Sequence, residues 1–122
     1  MRIPKPKRTK NPIPRLRRQA DSLLVRYLKP KCECCGAKAL QLHHFFPKGS
    51  YLFLRYYEPN LVSLCMKCHF ILTHRGDPII EQAIIKNRGQ KWYDLLEEKA
   101  KQRPNKTITS KWYRERINGL SN

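Results

Sequence analysis

The sequence predicts a small α+β domain in which a ββα unit, stapled by four cysteines, lies between N-terminal and C-terminal helices. Three observations carry that expectation. Cys32-x-x-Cys35 and Cys65-x-x-Cys68 form two knuckles about thirty residues apart. Between them the chain alternates or clusters apolar residues and breaks at Pro47, Gly49 and Pro59, as strands joined by turns do. Outside them, apolar residues recur at helical spacing.

At 122 residues the chain makes one small domain with tails, a size at which a metal or disulfides often complete a modest core. Five cysteines cannot all pair within one chain, and the knuckle spacing suits a tetrahedral Zn²⁺ held by Cys32, Cys35, Cys65 and Cys68. Gly36 suits the tight turn of the first knuckle, and Cys34 is read as pointing away. The 26 Lys and Arg against 9 Asp and Glu leave a net charge of +17, so a polyanion is the expected partner, nucleic acid before a membrane surface. No apolar stretch approaches the roughly 20 residues needed to cross a bilayer, and the N-terminus lacks the apolar core of a signal peptide. A cytoplasmic protein is expected.

Residues 1–19 read as a disordered or polyproline-like basic arm. Arg2, Lys5, Lys7, Arg8, Lys10, Arg15, Arg17 and Arg18 are its cations, it holds no acid, and prolines stand at 4, 6, 12 and 14. Phosphate binding is weighed against a merely solubilising tail. A short amphipathic helix is expected over Arg18–Lys29, with Leu23, Leu24, Tyr27 and Leu28 inward and Pro30 ending it. Residues 37–46 read as a strand in which Leu40 and Leu42 alternate. Tyr51–Tyr57 is a second apolar run that suits a strand, and Leu61–Leu64 is a short buried stretch. A helix from Met66 to Thr73 carries Cys68 and His69.

Asp77 and Pro78 read as cap and first turn of a further helix, with Ile79, Ile80, Ala83 and Ile84 at core spacing and Gly89 as its stop. Another follows over Gln90–Lys101, with Trp92, Leu95, Leu96 and Ala100 inward. Residues 102–122 form a C-terminal polar linker and a short helix bearing Trp112 and Arg116, which either docks on the body or touches nucleic acid.

The histidines lie outside the thiol set and are available for chemistry. Taken singly, each has a plainer explanation: His69 after a knuckle is a surface residue or a spare zinc ligand, and Asn60 beside Pro59 is an ordinary turn former. The plain alternative for the whole chain is a non-catalytic zinc-stabilised DNA- or RNA-binding module. It accounts for the charge and the thiols, but leaves His43-His44, Pro47, Asn60 and His69 unexplained as a set.

At Leu42-His43-His44-Phe45-Phe46-Pro47, Asn60 and Cys65-Met66-Lys67-Cys68-His69 the chain resembles the HNH endonucleases. That resemblance covers roughly residues 32–74 and implies a nuclease domain over 20–101 with a ββα-metal core, two antiparallel strands and a helix around a catalytic cation. It places a metal ligand at His43, the general base at His44, an orienting side chain at Asn60 and a second ligand at His69. Ala20-Asp21-Ser22-Leu23-Leu24, Leu54-Arg55-Tyr56 and Gly89-Gln90-Lys91-Trp92 are similar to the NinG/Rap phage recombination nucleases, which implies branched DNA as substrate. That subgroup carries a small residue where His43 stands and Asn where His69 stands.

The chemistry suits those residue types. Neutral His44 would accept a proton from water, while a cation on His43 and His69 would polarise the scissile phosphate. Adjacent strand residues face opposite sides, so the backbone at His43-His44 must depart from regular β geometry for both to serve one site. Lys48, Arg55 and Arg75 are candidates to grip flanking phosphates. His74 is a further candidate ligand; at five residues from His69 its competing role is a polar residue near a helix C-terminus. Few protein ligands favour Mg²⁺ or Mn²⁺, whereas a His-rich set including His74 favours Zn²⁺ or Ni²⁺. DNA is the expected partner with RNA as alternative, and the chain is a monomer or a homodimer, two active sites being required for symmetric cutting.

Overall fold

The computed structural model describes residues 3, 11–75 and 78–121. Arg2, Lys5, Lys7, Arg8 and Lys10 of the predicted arm and the predicted cap Asp77 lie outside the described residues. Helix α1 (Ile13–Leu23) starts well before the expected boundary at Arg18, and Arg15, Arg17 and Arg18 sit on it rather than on an unstructured arm. Pro12 is the cap residue and Pro14 lies in the first turn, where a missing N–H costs nothing. Leu16 and Ala20, one turn apart, give the helix a buried stripe. A 3₁₀ turn over Leu24–Tyr27 then hands the chain to the first knuckle, where Gly36 adopts φ +81°, the left-handed conformation a glycine takes without a Cβ clash.

Strand β1 (Gln41–His44) pairs antiparallel with β2 (Leu61–Leu64), opposing Gln41 to Leu64 and His44 to Leu61. The expected strand over 37–46 is therefore shorter, and Leu40, just before it, is 52% exposed. Tyr51–Tyr57 is not a strand. Its amides bond locally, Leu54 N to the Tyr51 carbonyl at 2.9 Å and Arg55 N to the Leu52 carbonyl at 3.1 Å, which makes a 3₁₀ turn over Leu52–Leu54. Helix α2 (Met66–Arg75) follows β2 directly and completes a β-β-α order. Then come α3 (Pro78–Arg88), α4 (Gln90–Lys101) and α5 (Ser110–Ser121). Gly89, at φ +103°, separates α3 from α4 as expected of a helix stop. Among the described residues no helix is long and apolar enough to cross a membrane.

Two apolar cores share the sheet. One joins Leu16, Ala20 and Leu24 to Tyr56, Leu61, Tyr113, Ile117 and Leu120, so α5 docks on α1. The other gathers Cys32, Cys65 and Cys68 with Val62, Leu64, Ile80 and Ile84. Strand β2 is buried along its whole length because it serves both. Ile79 and Leu95, expected inward, are 60% and 63% exposed. Each lies one residue, about 100° of helix, away from its buried neighbours Ile80 and Leu96, outside a narrow packed stripe.

A polar hub fastens the first knuckle to the sheet and α3. Arg88 donates to both Glu33 oxygens, Nε at 2.6 Å and Nη2 at 2.9 Å, and also to the carbonyls of Pro59 and Leu61. Glu33 accepts the Ser63 amide at 2.6 Å, and Trp92 lies under the Arg88 guanidinium at 4.8 Å. Burial alone would raise the Glu33 carboxyl. The Arg88 and Ser63 hydrogen bonds outweigh it and hold the group below its ordinary 4.5. Arg88→Ala is expected to cost about 3 kcal/mol in a urea titration, since the buried carboxylate loses its partner. In the wild type the Glu33 contribution is complete above pH 4.5 and is lost as pH falls through its lowered folded value, a loss that unfolding curves of Glu33→Gln would not show.

Candidate metal centre and histidine pocket

The two knuckles meet. One ligand atom from each of Cys32, Cys35, Cys65 and Cys68 lies within 4.8 Å of the others, and Cys35 Sγ stands 3.6 Å from Cys65 Sγ. Metal–sulfur bonds of about 2.3 Å put sulfurs about 3.8 Å apart around a tetrahedral ion such as zinc, so the donor set fits. Cys34 is not one of the four, but it does not point away as expected: its thiol hydrogen-bonds to that of Cys68 and it packs against the same core. Burial would raise the Cys32 thiol, but hydrogen bonds from the backbone of Cys35, Cys65 and Cys34 outweigh it and bring it down to about 6. Burial and the neighbouring thiols push Cys68 the other way. Four crowded thiols cannot all ionise unaided, and a cation removes that conflict.

On the other side of α2, a pocket of about 400 Å³ is lined by His43, His44 and His69, with Lys48 at its edge. Helix α2 therefore serves both places, Cys68 facing the thiol cluster and the next residue, His69, facing the histidines. The His43 and His69 rings stand edge to face with centroids 5.6 Å apart. Two imidazoles bound to one cation through bonds of about 2.1 Å have centres roughly 5 Å apart, a separation close to that of this pair. Burial, reinforced by His69 and His44, lowers the His43 imidazole to about 4 and keeps its lone pair available at neutral pH.

His43 and His44 both line the pocket although both sit in the regular ladder of β1, paired with Val62 and Leu61, so the expected departure from strand geometry at these two residues is not found; the chain bends only after them, at Phe45–Phe46. His44 Nε2 lies 2.9 Å from the Arg55 carbonyl. A carbonyl only accepts, so Nε2 carries the proton and Nδ1 is left with the lone pair. Burial lowers the His44 pKa, with Lys48 and Arg55 adding to the effect against the carbonyl bond and Asp21.

Asn60 holds this bend. It is fully buried, accepts the Phe46 amide at 2.8 Å and donates to the carbonyls of Phe46 at 3.1 Å and Leu54 at 3.4 Å. One side chain thus ties together the two ends of the loop that carries Arg55. The remaining predicted residues divide. Lys48 lines the pocket. Arg55 does not reach out for phosphate, because its guanidinium is forked onto Asp21 at 2.9 and 2.7 Å. His74 is exposed, stacks on Phe70 with centroids 4.5 Å apart, and does not line the pocket. Arg75 is exposed at the end of α2; Arg15 and Arg18 are exposed on α1, and Arg17 donates to the Tyr113 hydroxyl at 3.0 Å, fastening α1 to α5. Sequence reasoning missed Glu81, the acid in the pocket lining, because at the fourth position of α3 it reads as an ordinary first-turn acid.

Comparison with protein-family models, with curated proteins and with solved structures finds no match to this chain. Its chemistry has to be read from its own side chains. Cys65→Ala is expected to release bound metal and lower the melting temperature sharply, whereas Cys34→Ser changes neither; elemental analysis and a thermal melt read both.

Proposed function

We propose that this protein is a metal-dependent endonuclease of the HNH type that hydrolyses DNA phosphodiester bonds, with a zinc ion in the four-cysteine cluster serving structure only. The observation that carries the proposal is the meeting of His43, His44 and His69 in one pocket, with His44 presenting an unprotonated Nδ1. Those are the parts that phosphodiester hydrolysis requires: a base for water, a place for a cation, and neutralising charge at the rim.

In this scheme His44 Nδ1 takes the proton from the attacking water, while the Arg55 carbonyl holds the ring and stabilises the imidazolium that results. His43 and His69 would hold a Mg²⁺ or Mn²⁺ ion, or less readily Zn²⁺ or Ni²⁺. Bound there, a divalent ion supplies charge for the scissile phosphate and for the departing 3′ oxygen. Lys48 at the edge of the pocket attracts the flanking phosphate. His74 has no part in this site. Asn60 acts on the bend beneath the base rather than on substrate. The excess of cations supports a polyanionic substrate, and the likeness of three short motifs to the NinG/Rap nucleases supports branched DNA within that class.

The competing possibility, a zinc-stabilised binding module without catalysis, would leave the pocket idle. Incubation with supercoiled plasmid, linear duplex and a four-way junction, in EDTA, Mg²⁺ or Mn²⁺, separates the two. Cutting that requires the cation and falls by at least about a hundredfold in His44→Ala, with melting temperature and DNA binding retained, is expected. Binding without cutting in every cation would establish the module instead.

A further inference from the structure

We infer that Asp21, on helix α1, is a positioning residue that sets the orientation of His44 through the backbone of Arg55; this rests on the nuclease reading above. Each link is a hydrogen bond of ordinary length. Asp21 Oδ1 accepts Arg55 Nε at 2.9 Å and the Tyr56 hydroxyl at 2.8 Å, and Oδ2 accepts Arg55 Nη2 at 2.7 Å. The carbonyl of that same Arg55 accepts His44 Nε2 at 2.9 Å.

Loop 45–60 has no strand partner over Tyr51–Tyr57, so its internal bonds are local and its attachment to the rest of the chain decides where the Arg55 carbonyl points. Asn60 fixes the loop from below. Asp21 fixes it from the side. A forked carboxylate–guanidinium pair resists rotation as a single bond does not, and Tyr56, 7% exposed, adds a third tether one residue on. Helix α1 is itself held, since Leu16 and Ala20 pack against α5 and Arg17 bonds to Tyr113. The N-terminal and C-terminal helices therefore reach the histidine pocket through one carboxylate.

Arg55 has a different role here from a phosphate clamp. With its guanidinium engaged by Asp21 and its side chain 13% exposed, it acts through its carbonyl. The two roles predict opposite kinetics. For a clamp, Arg55→Gln raises KM at constant kcat, and Asp21→Asn, which frees the guanidinium, lowers KM. For a positioning pair, Asp21→Asn and Arg55→Gln each reduce kcat at unchanged KM, by roughly tenfold to a hundredfold as when other orienting partners are removed. The double variant then loses no more than either single one.

Two further measurements exclude a purely structural role. Two-bond ¹H–¹⁵N spectra of the labelled, zinc-loaded protein should show His44 as the Nε2–H tautomer in the wild type and a tautomer mixture in Asp21→Asn. Ile84→Ala, in the second core and outside the one that joins α1 to Tyr56, should lower the melting temperature while leaving kcat and the His44 spectrum unchanged well below the melt. An Asp21→Asn variant that behaves as Ile84→Ala does, or that lowers KM, overturns the inference. If the wild type cuts no DNA at all, the nuclease reading fails by itself, and the His44 spectra still decide whether Asp21 holds the ring.

Discussion

Four cysteine sulfurs converge within 4.8 Å, and almost everything else in this molecule follows from holding them there. A two-stranded sheet of four residues a side has little stability of its own in water. Here one knuckle precedes β1 and the other opens α2, so joining them closes the chain around the sheet and sets where α2 leaves it. The same helix then presents Cys68 to the cluster and His69 to the pocket. Whatever fixes the sulfurs also fixes the second imidazole opposite His43.

Polar contacts in the interior finish what the thiols begin. Glu33, between the cysteines of the first knuckle, is tied to Ser63 of β2 and Arg88 of α3. Asn60, immediately before β2, holds the bend after β1. Asp21 and Arg55 join the helix pair α1 and α5 to the same loop. Asn60 and Asp21 act on loop 45–60 and Glu33 on the first knuckle, two segments with little regular secondary structure. That is the physical reason these side chains are polar: an irregular backbone has amides and carbonyls that no ladder satisfies, and buried side chains must bond them instead. Among the described residues no buried side-chain polar atom is left without a partner.

The elements that were legible in the sequence are those specified by neighbours in the chain. Cysteine pairs two residues apart, the Trp92–Leu96–Ala100 stripe of α4 and the turn at Gly36 depend on local spacing, and each is where that spacing puts it. Illegible were the choices made by a distant partner. Tyr51–Tyr57 has the composition of a strand, yet β1 pairs with Leu61–Leu64, and an unpaired apolar run curls onto its own carbonyls. Arg15, Arg17 and Arg18 look like cations of an extended arm, yet Leu16 and Ala20 find α5 almost a hundred residues away, and their burial draws the segment into a helix. Arg55 looks free to meet phosphate until Asp21 is placed beside it.

Residue order alone specifies an inventory: four thiols at metal-ligand spacing, the adjacent histidines, the asparagine after Pro59, the helix that carries Cys68 and His69, and a large positive charge. Which of these meet is the work of packing. It put His43, His44 and His69 on one pocket and left His74 against Phe70 at the surface. It gave His44 a carbonyl that selects its tautomer, and it gave Arg55 to Asp21. The reason is that spacing along the chain fixes the face of an element on which a side chain lies, whereas its partner depends on how elements pack, and packing is set by contacts between residues far apart in sequence.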